Sequence, residues 1–586
     1  MRGWTIIVLL FLGISLPSSG DNAIDGLITE SLVRVGQMQQ ILLPVPEDML
    51  QEAWFLMGSY IIPLDSVTEG CRNHSSFLFE SFLKREMWAL KMVDAAGKPG
   101  AGILDGNIMF LGNYDECLSV SAPGGLFRGQ QCIVETSGLL SPDAVSSFTP
   151  NMGVLAYTRN DVMFSVCVPD SCTAQDVKIH LDVALNSINV TAIMYDSSCS
   201  SATSPPLNPA DYLVILVLLT IVVLVTLSTC YDNLTSKSEQ NDLLVSFSVT
   251  SNTSQLLSTS DSPDSLPCLH GLRVLAMVWI IAGHRFMHEI LVPDVNGVYI
   301  IEHLDRLAWI PYQSIGKTVE IFFLLSGTLA AYNFFRDRLK GKRFHYLSFC
   351  CHRYRRLTPT VLLVSIFYAT LLIRVADGPI WKRMFSMYQE NCQENWWINL
   401  LYISNYVVPY STCMPWTWYV AVDFQLHVLS PLLLLVIYKK RALGFFLAGI
   451  VLLASNSYAM TYFSWNGLST GGMVKRNLPL ESFTIQYTQT HFRLNTFIIG
   501  LCFGYLLYRI KQKEFKVKLS KTQLLTGWVV AALLFLGTLF SMTIFDDPEY
   551  VQTPWLDTTY PCLEQAVGSP SCHLGHLRLH NREVGV

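Results

Sequence analysis

Two ionisable residues stand eleven positions apart in an apolar stretch of helical length, residues 269–289. Arg273 lies near the start of this stretch and His284 lies deep inside it. In a helix, this spacing puts both side chains on one face, roughly 16 Å apart along the axis. Ionisable groups are costly inside a bilayer, so the pair indicates a functional site in which a cation binds an anionic donor and an imidazole transfers protons. The alternative interpretation of His284 is a neutral histidine that is hydrogen-bonded between helices.

Further polar residues lie in or beside other apolar stretches. Glu320 opens the run EIFFLLSG, in which Ser326 allows a close approach of helices. Arg353 and Arg356 precede an apolar span, and Asp423 lies about two turns inside another. Isolated acids in membrane helices are expensive, which favours a functional or helix-pairing role for Asp423. The alternatives are ordinary topology charges for the arginines and a simple interfacial ion pair for Glu320.

The composition of the chain is typical of a membrane protein. Of the 586 residues, 51% are hydrophobic and only 15% are charged, and several apolar stretches are long enough to cross a bilayer. The net charge of −5 gives no reason to expect a nucleic-acid partner. His284 and His288 share a helix face and would suit a metal ion, but no third ligand is evident, so we predict no metal site.

The N-terminal third of the chain indicates a signal peptide followed by an extracytosolic domain. Residues 1–20 combine Arg2, a short apolar stretch and a small-residue exit, which is typical of a signal peptide; a first membrane anchor is the alternative. We expect residues 21–207 to form a lumenal, α-rich domain that is stapled by disulfides. Asn73 and Asn189 begin glycosylation sequons in this region. The sequence leaves open how its six cysteines pair: Cys71, Cys117, Cys132, Cys167, Cys172 and Cys199.

The remainder of the chain alternates apolar spans with basic loops. We expect an anchor at residues 208–231, a flexible Ser-rich cytosolic linker at 232–267 and a membrane domain at 268–567. Basic clusters assign the cytosolic face by the positive-inside rule, and they lie at 336–356, 439–441 and 509–521. The predicted spans of the membrane domain are 268–291, 314–334, 357–373, 416–437, 443–463, 492–508 and 524–545.

One apolar segment does not fit this alternation. Residues 396–410 are too short for a crossing, and counting them as one would put Lys439 on the wrong side. We therefore interpret the segment as re-entrant or interfacial. Cys392 and Cys413 would then both be lumenal and able to form a disulfide.

The order of these motifs resembles one known family. The membrane region is similar to the acyltransferase-3 fold, and residues 64–564 are similar to the nose-resistant-to-fluoxetine group, which joins a cysteine-rich domain to that fold. In the N-terminal domain the resemblance rests on GNYDECL at 112–118 and CVPDSCT at 167–173. In the membrane region it rests on the Arg273–His284 spacing, on EIFFLLSG, on Arg353 with Arg356, and on WTWYVAVDFQL at 416–426.

The resemblance implies a mainly α, multi-pass bundle that transfers an acyl group from acyl-CoA to a hydroxyl of a lipid or small-molecule acceptor. His284 would be the general base. Three arginines would bind the donor's phosphates: Arg273, Arg353 and Arg356. Glu320 and Asp423 would orient the base or offset arginine charge, and Ser326 would support the site. Acyl-CoA would be a co-substrate, with no permanently bound cofactor, in a membrane of the secretory pathway (endoplasmic reticulum or plasma membrane).

The chain departs from the family pattern at its C-terminus. The family fold usually has two or three more spans than the seven predicted here, so we expect a C-terminally truncated bundle, with residues 568–586 as an atypical tail. Two other functions stay open. One is a transporter or lipid-binding and drug-binding membrane protein that keeps the fold without catalysis. The other is a receptor-like module whose N-terminal domain binds a lipid or a hydrophobic drug.

Overall fold

The computed structural model describes residues 67–137, 162–185, 190–203, 206–259, 266, 268–289, 294–303, 309–407, 411–466, 487–512 and 520–541. Within these ranges the protein is mainly α, as predicted, with one small sheet near the N-terminus. The predicted signal peptide, Asn189 and the predicted C-terminal tail lie outside the described residues.

The cysteine-rich domain packs helices against a sheet that the sequence analysis did not predict. The helices are α1 (Glu69–Leu83), α2 (Met87–Ala95), α3 (Tyr114–Ser119) and α4 (Ala174–Leu185). The strands are β1 (Met109–Phe110), β2 (Gly129–Ser137), β3 (Met163–Pro169), β4 (Thr191–Ile193) and β5 (Cys199–Ser201). The strand order is β1-β3-β2-β4, with β5 also paired to β2. Strand β1 runs parallel to β3, whereas β2 is antiparallel to β3, β4 and β5.

All eight cysteines that the sequence analysis proposed for disulfides are paired. The pairs are Cys71–Cys172, Cys117–Cys167, Cys132–Cys199 and Cys392–Cys413. The first three connect α1 to the segment before α4, α3 to β3, and β2 to β5. The structure thus selects one of the pairings that the sequence left open.

Eight long helices coincide with the predicted anchor and the seven predicted spans. They are α5 (Pro209–Leu234), α8 (Cys268–Glu289), α11 (Ile315–Leu339), α12 (Tyr346–Thr370), α14 (Trp418–Lys439), α15 (Arg441–Asn466), α16 (Thr490–Lys511) and α17 (Lys521–Phe540). In the described part of the chain, five segments are long and apolar enough to cross a membrane: Pro209–Leu234, Ile315–Leu339, Pro415–Lys439, Arg441–Asn466 and Lys521–Phe540. The others carry more of the polar and charged residues discussed below.

Five shorter or more polar helices complete the described chain. They are α6 (Asp242–Val245), α7 (Val249–Leu256), α9 (Gly297–His303), α10 (Ile310–Gln313) and α13 (Trp381–Leu400). The segment predicted as re-entrant or interfacial begins in the last turn of α13 and continues through a short turn at Ser404–Tyr406. In the described residues it contains no helix long and apolar enough to span a membrane.

Part of the segment predicted as a flexible linker at 232–267 forms two short helices, α6 and α7. Helices α6 and α7 fold back onto α5, where the Ser228 hydroxyl donates to the Leu244 carbonyl at 2.6 Å. The hydroxyls of Ser248 and Ser251 donate to the Asp232 carboxylate at 2.5 and 2.7 Å. The Ser/Asn composition that indicated a linker therefore supplies helix caps and side-chain hydrogen bonds instead of an apolar core.

A second difference concerns the start of α12. The span was predicted at residues 357–373, but the helix begins at Tyr346 and includes the basic cluster around Arg353. The sequence analysis assigns residues 336–356 to a basic cytosolic cluster by the positive-inside rule. Within α12, the charge of Arg353 is balanced by Asp423 on the neighbouring helix α14.

Helices α11 and α16 form the centre of the bundle and run in the same direction. Their backbones approach closely at glycines: a Cβ atom on Gly327 would overlap the Phe497 carbonyl, and one on Gly504 would overlap the Thr328 carbonyl. Small residues allow such contacts between membrane helices. The surrounding core is aromatic and aliphatic, and fully buried Phe323 and Phe497 belong to it.

The bundle has two chemically different ends. The cysteine-rich domain contacts α13 and the turn before it, so we call this the domain end. Each of α11, α14 and α16 finishes at the opposite end, where α12 and α15 begin. The predicted basic clusters collect there, which defines the basic end: Arg336, Arg338, Lys439, Arg441, Arg509 and Lys511.

Candidate active site

An ion pair between two helices lies at the centre of the candidate site. Arg353 of α12 pairs through Nη2 with Oδ2 of Asp423 on α14, and these side chains are 23% and 9% exposed. Ser326 of α11 bridges them, because its hydroxyl donates to Asp423 Oδ1 at 2.5 Å and accepts from Arg353 Nη2 at 3.3 Å. Ser326 lies near the midpoint of α11, so this Arg353 cluster sits deep in the bundle.

His427 completes the Arg353 cluster. Arg353 Nη1 lies 3.1 Å from His427 Nδ1, and the imidazole ring stacks on Phe349 with 4.0 Å between centroids. A guanidinium can only donate, so Nδ1 must hold a lone pair and the proton of the ring must be on Nε2. His427 is therefore neutral in this arrangement and orients Arg353.

A second ion pair lies nearer the domain end. Arg493 of α16 pairs through Nη1 with Oε1 of Glu320 on α11, and the side chains are 9% and 16% exposed. Arg493 Nε also donates to the Tyr487 carbonyl at 2.9 Å, and its guanidinium carbon lies 4.7 Å from the centroid of the Tyr487 ring. Charge pairing, a hydrogen bond and a cation–π contact thus fix this arginine.

Aromatic side chains fill the space between the two ion pairs. Trp418 packs against Tyr487 with 4.7 Å between ring centroids, and Tyr419 packs against Phe323 at 4.9 Å. Arg273 of α8 is half-buried in the second turn of that helix.

His284 occupies a different environment from the Arg353 cluster. It is exposed, and its Nδ1 lies 2.9 Å from the Ile280 carbonyl, one turn earlier in α8. Because a carbonyl only accepts, Nδ1 carries the proton, so the neutral ring holds its lone pair on Nε2, the nitrogen that can take a proton. The contacts among Arg353, Ser326 and Asp423 connect α11, α12 and α14. His284 of α8 takes no part in them.

The predicted residues thus fall into three groups. The structure brings together Arg353, Ser326 and Asp423, and their contacts do not include Arg273. It pairs Glu320 with Arg493, a residue the sequence analysis did not place in the site. It leaves His284 and Arg356 exposed, Arg356 lying one turn after Arg353 on α12.

Two site residues were not predicted, and both had a usable signal. His427 follows Asp423 by four positions, so both lie on one face of α14. Arg493 begins an apolar span, where an unpaired cation is expensive and a partner on another helix is expected. Arg493 could have been predicted by asking which acidic residue balances its charge, and His427 by asking which side chain shares the helix face of Asp423.

Two further predictions concern the surface and metal binding. Asn73 is exposed on α1, so its sequon is accessible, while glycosylation itself stays a prediction. In the ranges that the structure describes, His, Cys, Asp and Glu side chains form no group of three or more that could hold a metal ion.

The site still has capacity to bind polar groups. Among the described residues, buried Nε of Arg353 and buried Oε2 of Glu320 have no hydrogen-bond partner. An unsatisfied donor and an unsatisfied acceptor in a dry interior are costly, and a bound polar group would satisfy them. The two ion pairs also supply fixed dipoles in a region of low dielectric, where electrostatic interactions are strong.

Two family models match the chain. The N-terminal domain of nose resistant-to-fluoxetine proteins matches residues 71–181, and the acyltransferase domain matches residues 266–567. Together with the helical bundle and the disulfides, these matches define a protein with an acyltransferase membrane domain. The chain belongs to the acyltransferase-3 family and carries the nose resistant-to-fluoxetine N-terminal domain.

Individual relatives are more distant. The chain is 27% identical to nose resistant to fluoxetine protein 6 of Caenorhabditis elegans, over 82% of this chain and 66% of that protein. It is 23% identical to the regulator of hypoxia-inducible factor 1 of the same organism, over 50% of this chain and 59% of that protein. It is 25% identical to the peptidoglycan O-acetyltransferase OatA of Listeria monocytogenes, over 30% of this chain and 25% of that protein. The chain thus spans less than two thirds of the length of each, and no solved structure matches it significantly.

Proposed function

We propose that this protein is a membrane-bound O-acyltransferase that moves an acyl group from acyl-CoA to a hydroxyl of a lipid or small-molecule acceptor. The observation that carries the proposal is the Arg353 cluster, a hydrogen-bonded polar site deep inside the acyltransferase domain that keeps an unsatisfied donor. One relative is a peptidoglycan O-acetyltransferase, which supports a hydroxyl as the acceptor group.

His284 is proposed as the general base. Its Nε2 takes the proton of the acceptor hydroxyl while the oxygen attacks the thioester carbonyl carbon. The new C–O bond forms, the C–S bond breaks, and the imidazolium returns the proton to the CoA thiolate. An acid–base group of this kind typically contributes a factor of about 10² to 10⁴ to the rate.

The arginines divide between binding and positioning in this proposal. Arg356 is exposed and suits a phosphate of CoA, because a guanidinium forms two parallel hydrogen bonds with a phosphate. Arg353 has three of its five N–H donors engaged by Asp423, Ser326 and His427, so its Nε–H and one Nη1–H remain for a substrate. Arg273 lies in the second turn of α8 and would add positive charge near the donor.

The proposed location follows from the two ends of the molecule. Disulfides persist in oxidising compartments, so we propose that the cysteine-rich domain faces the lumen or the exterior of a secretory-pathway membrane. The basic end then faces the cytosol, where acyl-CoA is present, in agreement with the positive-inside rule.

The enzymatic proposal can be tested with the full chain in lipid nanodiscs, supplied with acyl-CoA and a lipid extract. Release of free CoA should be measured by mass spectrometry, because the exposed thiols of Cys230 and Cys351 would react with a thiol reagent. We expect His284→Ala to lower turnover by about 10² to 10⁴. The matched control is His270→Ala, an exposed histidine near the start of the same helix, which should leave turnover unchanged.

The outcomes separate this proposal from its rival. Undiminished turnover in a correctly assembled His284→Ala protein would reject His284 as the base. The rival function is non-catalytic transport or binding of a lipid or drug, and the separation of His284 from the contacts of the Arg353 cluster favours it. It predicts lipid or drug flux that persists in His284→Ala while no CoA is released by either protein.

A further inference from the structure

A groove between α15 and α16 lies apart from the Arg353 cluster. It is an open groove with a volume of about 490 Å³ near the basic end of the bundle. Because α15 begins at Arg441 and α16 ends at Lys511, these antiparallel helices bring Arg441 and Arg509 to the same end of the groove. The groove therefore combines two guanidinium groups at one end with a helix-lined interior.

The charged end of the groove is positioned by its neighbours. Arg509 Nη1 donates to the Tyr505 hydroxyl at 3.1 Å, and the Tyr505 ring packs edge-on against Phe445 with 5.6 Å between centroids. Arg441 is exposed, and among the described residues it has no ion-pair partner. A cation at a membrane boundary without an acidic partner is available to an anion from outside the protein.

The rest of the groove is apolar and opens sideways. Phe445 and Leu506 are 39% and 38% exposed, while Ile499 and Cys502 are half-buried behind them. Helix α15 is exposed over most of its length and is long and apolar enough to cross a membrane. A ligand that enters the groove must therefore have an apolar tail as well as an anionic group.

We propose that the α15–α16 groove binds an anionic phospholipid from the basic-end leaflet. Its phosphate lies between Arg441 and Arg509, and one acyl chain lies along Phe445, Ile499 and Cys502. Basic pockets between membrane helices recognise lipid headgroups in this way, and each arginine contributes to retention. The site is separate from the proposed acyl transfer, so it does not depend on catalysis.

The geometry favours a bilayer lipid over other phosphate-bearing ligands. Free phosphate would use the two arginines but would leave the apolar part of the groove unfilled. Acyl-CoA shares the phosphate and the chain, but it arrives from water, whereas the groove opens toward the membrane interior through exposed Phe445 and Leu506. We expect a headgroup with net negative charge to bind better than a zwitterionic one. The cation of a zwitterionic headgroup offsets the attraction between its phosphate and the two arginines.

The test is native mass spectrometry of the full chain in mixed micelles. Phosphatidylserine and phosphatidylcholine with identical acyl chains are compared with palmitoyl-CoA and with inorganic phosphate. We expect selective retention of phosphatidylserine, and a roughly 10- to 30-fold weaker retention in the Arg441→Gln/Arg509→Gln variant. The matched control is Lys439→Gln/Lys440→Gln, which removes two exposed charges at the same end and should bind as the wild type does.

A second measurement does not depend on charge variants. Cys502 lines the groove, so its alkylation by a membrane-permeant maleimide should slow several-fold when phosphatidylserine is added to the wild-type protein. Ile499→Trp should fill the groove and abolish both retention and protection. The proposal would be overturned if the arginine variant retained phosphatidylserine as well as the wild type does, or if the wild type retained phosphatidylcholine equally well. It would also be overturned if palmitoyl-CoA, and not phosphatidylserine, protected Cys502.

Discussion

Arg353 shows how single side chains hold helices together in this bundle. It donates to Asp423 and His427 on α14 and to Ser326 on α11, while it belongs to α12 itself. Removing one partner of a buried ion pair typically costs about 3–5 kcal/mol, because the other charge stays buried without compensation. The cluster therefore specifies which helices are neighbours. Replacing all of its residues with apolar side chains could leave the bundle as stable as before, but it would remove this specification.

Asp176 has a comparable structural role in the cysteine-rich domain. Its carboxylate accepts from the backbone N–H groups of Thr68 and Thr173, each at 2.8 Å, and from both of their hydroxyls. Burial alone would raise the pKa of this carboxyl, but the four hydrogen bonds outweigh burial and hold the pKa below its ordinary value of 3.8. The charged form is thus the one that stabilises the start of α4 and its contact with the segment before α1.

We predict that Asp176→Asn destabilises the cysteine-rich domain at neutral pH. An amide loses one acceptor oxygen, which costs roughly 1–3 kcal/mol when buried donors are left unsatisfied. Because the pKa in the folded state is lowered, the contribution of Asp176 is present above its unfolded-state pKa and is lost as the pH falls through the folded value. The difference in stability between wild type and variant should therefore be full at pH 7 and shrink below about pH 4.

The measurement is hydrogen exchange of α1 and α4 in the full chain, corrected for the intrinsic pH dependence of exchange. Asp115→Asn is the control, because Asp115 is exposed in the first turn of α3. An Asp176→Asn effect that is constant between pH 7 and about pH 3 would contradict the role of the ionised carboxylate.

At the scale of elements, the contact between α11 and α16 depends on small residues in both helices. Gly500 and Gly504 are four residues apart on α16, and a Cβ atom on Gly500 would overlap the Leu324 carbonyl of α11. This spacing is the small-xxx-small pattern that lets membrane helices approach closely. Because α11 carries Glu320 and Ser326 while α16 carries Arg493, the same contact positions the polar site.

We predict that Gly500→Ala lowers the thermal stability of the detergent-solubilised protein. Overpacking typically costs about 1–3 kcal/mol, which exceeds the gain of up to about 1 kcal/mol in helix propensity. Gly449→Ala is the matched control, because Gly449 lies inside α15 with no atom near its Cβ position. Thermal unfolding followed by size-exclusion chromatography should show a lower unfolding temperature for Gly500→Ala and a higher one for Gly449→Ala. A higher unfolding temperature in both variants would mean that helix propensity dominates.

The positions of the helices could be predicted from the sequence because each span is a long apolar run. Their boundaries could not always be predicted, and α12 is the clearest case. Residues around Arg353 were assigned to a basic cytosolic cluster by the positive-inside rule, and Asp423, which balances the charge of Arg353, is 70 residues away in the sequence. The sheet was missed for a related reason: β2 is buried along nearly its whole length, so it lacks the alternation that marks a surface strand.

For the candidate site, the residues could be predicted from the sequence but their pairing could not. Residue types identified Arg353, Ser326 and Asp423, since polar groups in apolar spans are costly. Which groups pair depends on the rotation and tilt of helices, and these are set by packing at positions such as Gly327 and Gly504. The pairing of Glu320 with Arg493 therefore appears only in the folded bundle.

At the scale of the whole molecule, the cysteine-rich domain is fixed to the bundle by polar contacts. Arg383 of α13 pairs with Glu135 of β2 at 2.8 Å, and its guanidinium carbon lies 4.0 Å from the Tyr195 ring centroid. The Tyr114 hydroxyl donates to the Asp377 carboxylate just before α13. Burial, and then Asp377, raise the pKa of Tyr114, so the phenol stays protonated and remains a donor across the physiological range.

The anchor helix is held separately. Asp211, in the first turn of α5, is fully buried and pairs with Arg374 at 3.2 Å, and Arg374 Nη2 also donates to the Pro206 carbonyl at 3.1 Å. This contact joins the chain that leaves the cysteine-rich domain to the turn that follows α12. Loss of the Arg383 and Tyr114 contacts should therefore loosen the domain while the anchor remains in place.

We predict that Tyr114→Phe combined with Arg383→Ala broadens the distribution of distances between the cysteine-rich domain and α13. Each lost polar contact contributes on the order of 1 kcal/mol, so together they shift a docked population measurably toward undocked states. Spin labels introduced as a noncanonical amino acid at exposed Glu80 and Glu394 avoid the free thiols and report this distance by pulsed electron resonance. Lys91→Ala, which removes an exposed charge from α2, should leave the wild-type distribution unchanged. A narrow distribution in the double variant would contradict this prediction, and would mean that the remaining contacts, such as the Asp211–Arg374 pair and the hydrogen bond from Lys382 Nζ to the Cys199 carbonyl, are sufficient to hold the domain.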